Sequence, residues 1–370
     1  MSSESTPLTS WLDHPVVQAP MAGGPSCPEL AAAVCGAGGL GFLAAGFNSP
    51  DAMREEIGRL RELTDRPFGV NLFVPQPAGG PETEAAVAAY RDRLAGEAAR
   101  YGTELGDPGP GGHDGAAGYE AKLAALLDDP VPFVSFTFGC PPRDVLAELA
   151  GRGTLTAVTV TSVAEARAAR EAGADVLCVQ GIEAGGHQST HRDDPAADGP
   201  GAGIGLLTLL ALVRDAVPLP LIAAGGLMRG EQIAAVLAAG ATAAQLGTAF
   251  LACPESGAHE LHKRALTDVA FPRTELTRAF TGRPARGLVN RFMAEHGAHA
   301  PAAYPQVQRL TTPLRRAAVA AGDAQALPLW AGQGHRLARP LPAAELVAVL
   351  AGELAAARAA LASAPSGRSA

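Results

Sequence analysis

Charge is scarce in this sequence, and of the two signs the positive is rarer. Only 18% of residues are charged, with 29 Lys and Arg against 37 Asp and Glu, for a net charge of -8. Neutralising nucleic-acid phosphates needs a concentrated basic face, and no such cluster is present, so nucleic-acid binding is excluded as a partner class. The five cysteines, Cys27, Cys35, Cys140, Cys178 and Cys253, are odd in number, scattered, and form no C-x-x-C. That rules against a disulfide framework or a zinc site and fits reduced thiols in a cytoplasmic protein, packed as small core residues. No cationic neighbour in sequence lowers a thiol pKa. The first residues, MSSESTPLTSWLDHP, lack a basic stretch followed by an apolar one, so no secretory signal is expected. No apolar run reaches the roughly 18 residues of a membrane span. Also missing are a G-x-G-x-x-G turn after the first strand, a Walker loop, a G-x-S-x-G elbow and a helical H-E-x-x-H. His187 and His191 have i, i+4 spacing, but Gly185-Gly186 argues against a helix there, and no metal is expected.

What is present is an alternation of short apolar runs with amphipathic stretches. Eight runs read as strands: Val16–Met21, Gly38–Gly46, Phe68–Val74, Val131–Gly139, Leu155–Thr161, Asp175–Gly181, Pro220–Gly226 and Ala243–Leu251. They are continuously apolar rather than alternating, as parallel strands covered on both sides must be. Ser49-Pro50 starts a helix, with a hydroxyl at the cap and proline in the first turn. Another helix follows Pro142, and Ser162 with Glu165 predicts a capping box for a helix closing at Gly173. Eight strand–helix units predict an α/β fold, a TIM (β/α)8 barrel over residues 1–253, with the open doubly wound sheet as its rival. From residue 254 the alternation stops. Residues 254–370 read as an appended, mostly helical C-terminal segment packed on the barrel. The Gly/Pro/Asp-rich stretch GDPGPGGHDGAAG reads as a solvated loop.

In such barrels chemistry gathers at the C-terminal strand ends. Gly225 and Gly226 follow the seventh run, and Gln245, Leu246, Gly247 and Thr248 lie in the eighth. Either glycine group alone reads better as a tight turn. Together, at matching strand ends, they predict a phosphate site, because glycine lets backbone N–H groups approach an anion. After the sixth run comes EAGGHQS, where Gly185 and Gly186 allow close passage of a planar ligand and His187 brings a titratable imidazole. A lone histidine in a glycine-rich loop is usually just an exposed one. His14, His113, His259, His262 and His335 have weaker contexts and read as surface. Asn71 and Gln180 are amides in apolar strands. A buried amide needs its hydrogen bonds met, by a heterocycle edge, a neighbouring strand or water.

The ordered set QAPMAGGPSCPELAAAVCGAGGLGFLAAG, GVNLF, VSFTFG, GIEAGGH, PLIAAGG and QLGTAFL, followed by YPQVQRLTTPLRRAA and LPLWAGQG, resembles the nitronate monooxygenase (2-nitropropane dioxygenase) family, in its larger bacterial and fungal class. The resemblance spans about residues 14–340. It implies an FMN-dependent barrel enzyme that oxidises alkyl nitronates such as propionate 3-nitronate with O2, to a carbonyl compound and nitrite. It also implies Ala19, Pro20 and Met21 beside the flavin, and Asn71, Gln180 and Gly185 in contact with it. Gly225, Gly226 and Gln245 to Thr248 would hold its phosphate end, and His187 would be the active-site histidine, as a base or as an anion partner. Cys27 stands where threonine is common, and Tyr304 is a candidate lining residue. Two rivals stand beside this reading: an NAD(P)H-dependent FMN enoyl-thioester reductase of the FabK type, and a barrel that binds flavin without catalysis. The long C-terminal segment with LWAGQG ranks the nitronate chemistry first.

Overall fold

The computed structural model describes residues 7–77, 79–109, 118–193 and 203–363. Eleven strands are present among them: β1 Val16–Gln18, β2 Phe42–Ala44, β3 Gly69–Phe73, β4 Phe133–Thr137, β5 Leu155–Val160, β6 Val176–Gln180, β7 Gly186–His187, β8 Leu221–Ala224, β9 Ala243–Leu246, β10 Thr274–Thr277 and β11 Ala285–Leu288. Eight of them form one parallel sheet in the order β1-β9-β8-β6-β5-β4-β3-β2. The ends meet through a parallel bridge between Val17 and Leu40, just ahead of β2. The sheet is therefore rolled into a (β/α)8 barrel, as expected, and not left open. The strands are buried along nearly their whole length, which is why their runs carry no polar alternation.

Local signals act as anticipated at several ends. Ser49 Oγ accepts from the Ala52 N–H at 3.1 Å, with Pro50 in the first turn. Ser162 Oγ accepts from Glu165 N–H at 3.2 Å, and the helix Val163–Ala172 ends at Gly173 with φ +100°. The other half of the expected capping box does not form. The Glu165 carboxylate instead accepts from the Thr161 N–H at 2.6 Å, the Thr161 hydroxyl at 2.9 Å and the His191 N–H at 2.8 Å. It thus ties the loop beyond β6 to the end of β5. The eighth apolar run is also shorter as a strand than its sequence indicates. It ends at Leu246, and Thr248–Leu251 turns into a short helix. Apolarity alone does not distinguish the two, since both are buried.

Three packed regions follow. The largest lies between strands and surrounding helices. A second fills the bottom of the barrel, where Phe42 and Phe133 meet at 5.4 Å and the helix Pro7–Trp11 plugs the end with Leu8. The third joins Val87, Tyr90 and Leu94 to residues of 251–331. Beyond Leu251 the chain is largely helical, as expected, but it also holds the hairpin β10–β11. This hairpin pairs with β7 in a small antiparallel sheet. Finally, Ala343–Ser363 packs against the helices Gly230–Ala238 and Pro28–Gly36 through Leu346, Val347, Leu350 and Leu354. This helix is long and apolar enough to span a membrane, with a mean hydropathy of 1.6. No such run was expected from the sequence, because scattered charges interrupt it. Part of its apolar surface is spent on the barrel.

Residues 110–117, including His113, and residues 194–202 of the acidic loop lie outside the described residues.

Candidate active site

The C-terminal ends of β6, β8 and β9 lie side by side. Gln180 is in register with Ala224, and Ala224 with Gln245, so two amides flank one small residue. Gln245 Nε2 donates to the Cys178 thiol at 3.3 Å, a weak acceptor for a strong donor. Gly225 and Gly226 follow with φ of +135° and +68°, which L side chains rarely adopt. β9 ends with the Leu246 carbonyl accepting from Ala19 N–H at 2.9 Å. The Leu246 side chain is in the outer core, so only its backbone is offered to the site. A Cβ on Gly247 would stand 3.4 Å from Ala19 Cβ and 3.6 Å from Met21 Sδ, which makes Ala19, Pro20, Met21 and Gly247 one wall. The Thr248 hydroxyl accepts from Gly332 N–H at 2.9 Å. Cys27, beside that wall, donates its thiol to Glu255 O at 3.0 Å. Asn71 stands across the barrel on β3, with its amide spent on the Ser135 hydroxyl and Thr137 Oγ1, both at 2.9 Å. Its carbonyl oxygen is the end left for a donor.

The loop after β6 is folded back on its own strand. Gln180 Nε2 donates to the His187 carbonyl at 3.2 Å, and its oxygen accepts from Ser189 N–H at 2.8 Å. Gly185 is required by packing: a Cβ there would lie 2.5 Å from Gly332 N and 2.6 Å from Ala331 C. The Trp330–Gly334 stretch of LWAGQG is therefore seated directly on this loop. β7 is locked to the hairpin, with His187 opposite Ala285 and Gly186 opposite Arg286. Arg286 adds a hydrogen bond from Nε to Ile182 O at 2.9 Å.

His187 sits in an aromatic enclosure. Its ring centroid is 5.5 Å from Phe138, 5.9 Å from Tyr304 and 5.8 Å from Trp330. Nε2 lies 3.0 Å from Thr281 Oγ1. Burial, with the positive charges of Arg283 and Arg315, pushes its pKa down to about 3. The imidazole is thus neutral and able to accept or donate near neutral pH. Phe138 is the one non-glycine residue with positive φ among the described residues, at +72°. Such strain persists only where the surroundings enforce it, and here the ring is held by Phe73 at 4.6 Å and by the Arg283 guanidinium at 4.1 Å. Arg283, Phe138 and Tyr304 also line a cavity of about 730 Å3, together with Pro75 and His191.

Three of these residues escaped the sequence reading. Arg283 and Thr281 sit about 95 residues from His187 in a stretch read as helical, and Phe138 looks like any strand residue. Gln18 did carry a signal, as a polar residue in VVQAPM. Its oxygen accepts from Phe42 N–H at 2.9 Å and its amide donates to Ser26 Oγ at 2.9 Å, fixing the end of β1. Two histidines read as surface are instead enclosed: His335 bonds Phe271 O at 3.2 Å and His262 bonds Trp330 O at 2.9 Å. A separate trio, Glu97, Glu295 and His296, has metal-ligand spacing. Arg291 already donates to both oxygens of Glu97, at 2.5 and 2.8 Å, and to Glu295 at 2.7 Å. Burial opposes the charge of Glu97, but Arg291 outweighs it and holds its pKa below the usual range. The trio is an ion-pair network.

The enclosed histidines give a pH prediction. Burial is the largest cause of lowered pKa in His187, His262, His296 and His335. The unfolded chain takes up protons near pH 6.5 while the folded chain does not, so stability is full above that pH and falls as pH drops. The urea midpoint is expected to decline from pH 7 to pH 5, above the range where carboxylates protonate. His262→Gln should flatten that slope, and an unchanged slope would contradict the assignment.

Fold and site together define a (β/α)8-barrel enzyme with a C-terminal cover seated on its strand ends. A sequence model of the family described as nitronate monooxygenase matches residues 5–353. The chain belongs to the nitronate monooxygenase family. It is similar to the nitronate monooxygenase of Paraburkholderia phytofirmans, 43% identical over 93% of each chain. Among solved structures it is similar to a nitroalkane oxidase from Streptomyces ansochromogenes, 66% identical, with a TM-score of 0.92 over 96% of this chain and 100% of that one. FabK from Thermotoga maritima is more distant, at 28% identity and a TM-score of 0.73 over 97% and 98% of the two chains.

Proposed function

We propose that this chain binds FMN and oxidises alkyl nitronates, propionate 3-nitronate among them, with O2 to a carbonyl compound and nitrite. The observation that carries the reading is the neutral His187 held in an aromatic enclosure beside the glycine-lined strand ends. The residues present fit the cofactor. Gln245 has only a thiol for its amide, Asn71 keeps a free carbonyl, and Gly225 and Gly226 hold backbone open to an anion. In this reading Gly225, Gly226 and Gln245 to Thr248 hold the phosphate end. Ala19, Pro20 and Met21 line the ring, with Asn71, Gln180 and Gly185 at its edges. FMN held by these residues would supply the electron-accepting chemistry between the substrate and O2. The chain's own work is to seat a nitronate against His187, shield it with Phe138, Tyr304 and Trp330, and exclude water. The nitroalkane oxidase relative favours a second substrate form, a neutral nitroalkane whose proton His187 removes. We also take residues 1–253 as the FMN-binding barrel and 254–370 as the segment packed on it, working in the cytoplasm, where its free thiols stay reduced.

The test uses the purified full chain. Yellow protein releasing FMN on denaturation, and aerobic nitrite release from propionate 3-nitronate without NAD(P)H, are expected. Flavin-loaded protein that releases no nitrite would sink the reading. Anaerobic bleaching by NAD(P)H with crotonyl-thioester reduction would transfer it to the FabK type.

A further inference from the structure

His187 meets the protein through one nitrogen. Nε2 faces Thr281 Oγ1 at 3.0 Å, while Nδ1 carries no hydrogen bond among the described residues. Nδ1 is therefore the atom offered to a ligand, and Thr281 decides what state it is in. Thr281 is 2% exposed, so no bulk water substitutes for it. Its oxygen is a three-way junction. It accepts from Arg283 N–H at 3.3 Å, and its proton has two acceptors, Arg283 O at 3.2 Å and His187 Nε2 at 3.0 Å. With the hydroxyl turned to Nε2, the imidazole proton sits on Nδ1 and His187 is a donor toward a bound anion. With the hydroxyl turned to Arg283 O, the Thr281 oxygen accepts from Nε2–H, and Nδ1 has a free lone pair and is a base.

The junction is rigidly placed. Thr281 lies in the turn between β10 and β11, and β11 is the strand paired to His187. Pro284 O, beside it, accepts from Gln188 N–H at 2.8 Å, and Phe280 O accepts from Thr311 Oγ1 at 2.6 Å. The hairpin therefore holds the hydroxyl and the imidazole in one frame, so that changing state takes a rotation of the hydroxyl and a transfer of the imidazole proton between its two nitrogens through the bound substrate or solvent, with no heavy atom displaced.

We propose that Thr281 is a positioning residue whose hydroxyl rotation lets His187 act through Nδ1 both as the base for a neutral nitroalkane and as the hydrogen-bond donor for a nitronate. The inference rests on the reading of the site given above. In the base step the substrate's C–H bond breaks, its proton forms an N–H bond at Nδ1, and the electron pair stays on the substrate as the nitronate. No oxidant is consumed. The imidazolium so formed carries a proton on Nε2, which needs an acceptor in a desolvated enclosure, and Thr281 supplies it. Hydrogen bonds to charged groups are about twice as strong as neutral ones. Loss of the hydroxyl therefore weighs more on the base step than on anion binding.

Thr281→Val keeps the shape and removes the hydroxyl, and Thr281→Ser keeps the hydroxyl. In flavin-loaded protein, Thr281→Val is expected to lower kcat for neutral nitroethane about 10- to 100-fold. With preformed ethyl nitronate it should change kcat by less than about threefold, and Thr281→Ser should return both to near wild type. Equal slowing of the two substrates, or no slowing of either, overturns the proposal. A second measurement does not depend on turnover. With 15N-labelled histidine, the His187 Nε2 resonance, assigned by its loss in His187→Asn, should shift in Thr281→Val and return in Thr281→Ser. An unmoved resonance overturns the proposal even if rates change. If wild type oxidises neither substrate, the functional reading falls, while the resonance still decides whether Thr281 governs the tautomer.

Discussion

His187→Asn retains its flavin and loses most of its turnover, by about 10²- to 10⁴-fold. The substitution is chosen for what it keeps. Asparagine reaches less far than histidine but still offers an amide, and His187 sits on β7, whose backbone pairing to Ala285 does not depend on the side chain. The residues assigned to the cofactor lie on β1, β3, β6, β8 and β9 and in the loops that follow them. What disappears is a titratable nitrogen in a desolvated aromatic enclosure, which an amide cannot replace as a proton acceptor. Steady-state rates with nitronate and with neutral nitroalkane, beside the flavin-to-protein absorbance ratio, decide the matter. Rates like those of wild type would remove His187 from the chemistry. Loss of flavin together with activity would make it a cofactor-holding residue instead.

Gly185→Val is expected to be the most disruptive single change near the site, costing about 1–3 kcal/mol or more and releasing flavin. The added Cβ alone would come within 2.5 Å of Gly332 N and 2.6 Å of Ala331 C, and both are backbone atoms that cannot swing aside. The Trp330–Gly334 stretch must then lift from the loop after β6. With it go the Gly332–Thr248 hydrogen bond and the Gln333 N–H bond to Glu183 O at 3.0 Å. Trp330, one wall of the His187 enclosure, moves as well. Gly186→Val is the control. It is strained by its φ of +73°, but a Cβ there meets nothing within 4 Å. Thermal unfolding and flavin retention on gel filtration separate the two. Gly185→Val with wild-type stability and full flavin would show that the cover does not need this close seat.

Much of the barrel was open to reading because its strands are uniformly apolar, and a strand covered on both faces leaves no other pattern. Gly225, Gly226 and Gly247 were likewise visible as small residues at strand ends, where the structure has positive φ at the first two and a close wall beside the third. The function of Gly185 was not. Sequence suggested room for a ligand, and the structure adds a second chain segment, 146 residues later, pressing on the same atom position. The hairpin was missed for a related reason. TELT and ARGL are short, charged and far from β7, and nothing local records that a two-residue strand will pair with ARGL. Thr281, Arg283 and the left-handed Phe138 are legible only once that pairing exists. His262 and His335 read as exposed because their sequence contexts are weak, yet each spends its Nε2 on a backbone carbonyl inside the cover.

The helix Ala343–Ser363 packs between Gly230–Ala238 and Pro28–Gly36. Its contact with the latter joins parts of the chain more than about 300 residues apart. The stave that completes this wall is thus made long after the helix it covers, so Pro28–Gly36 waits with an uncovered apolar flank while about 300 further residues are synthesised. A product cut short ahead of this helix would lack the closing piece, however complete its barrel strands, and the nascent chain stays open to aggregation on that flank until the helix docks.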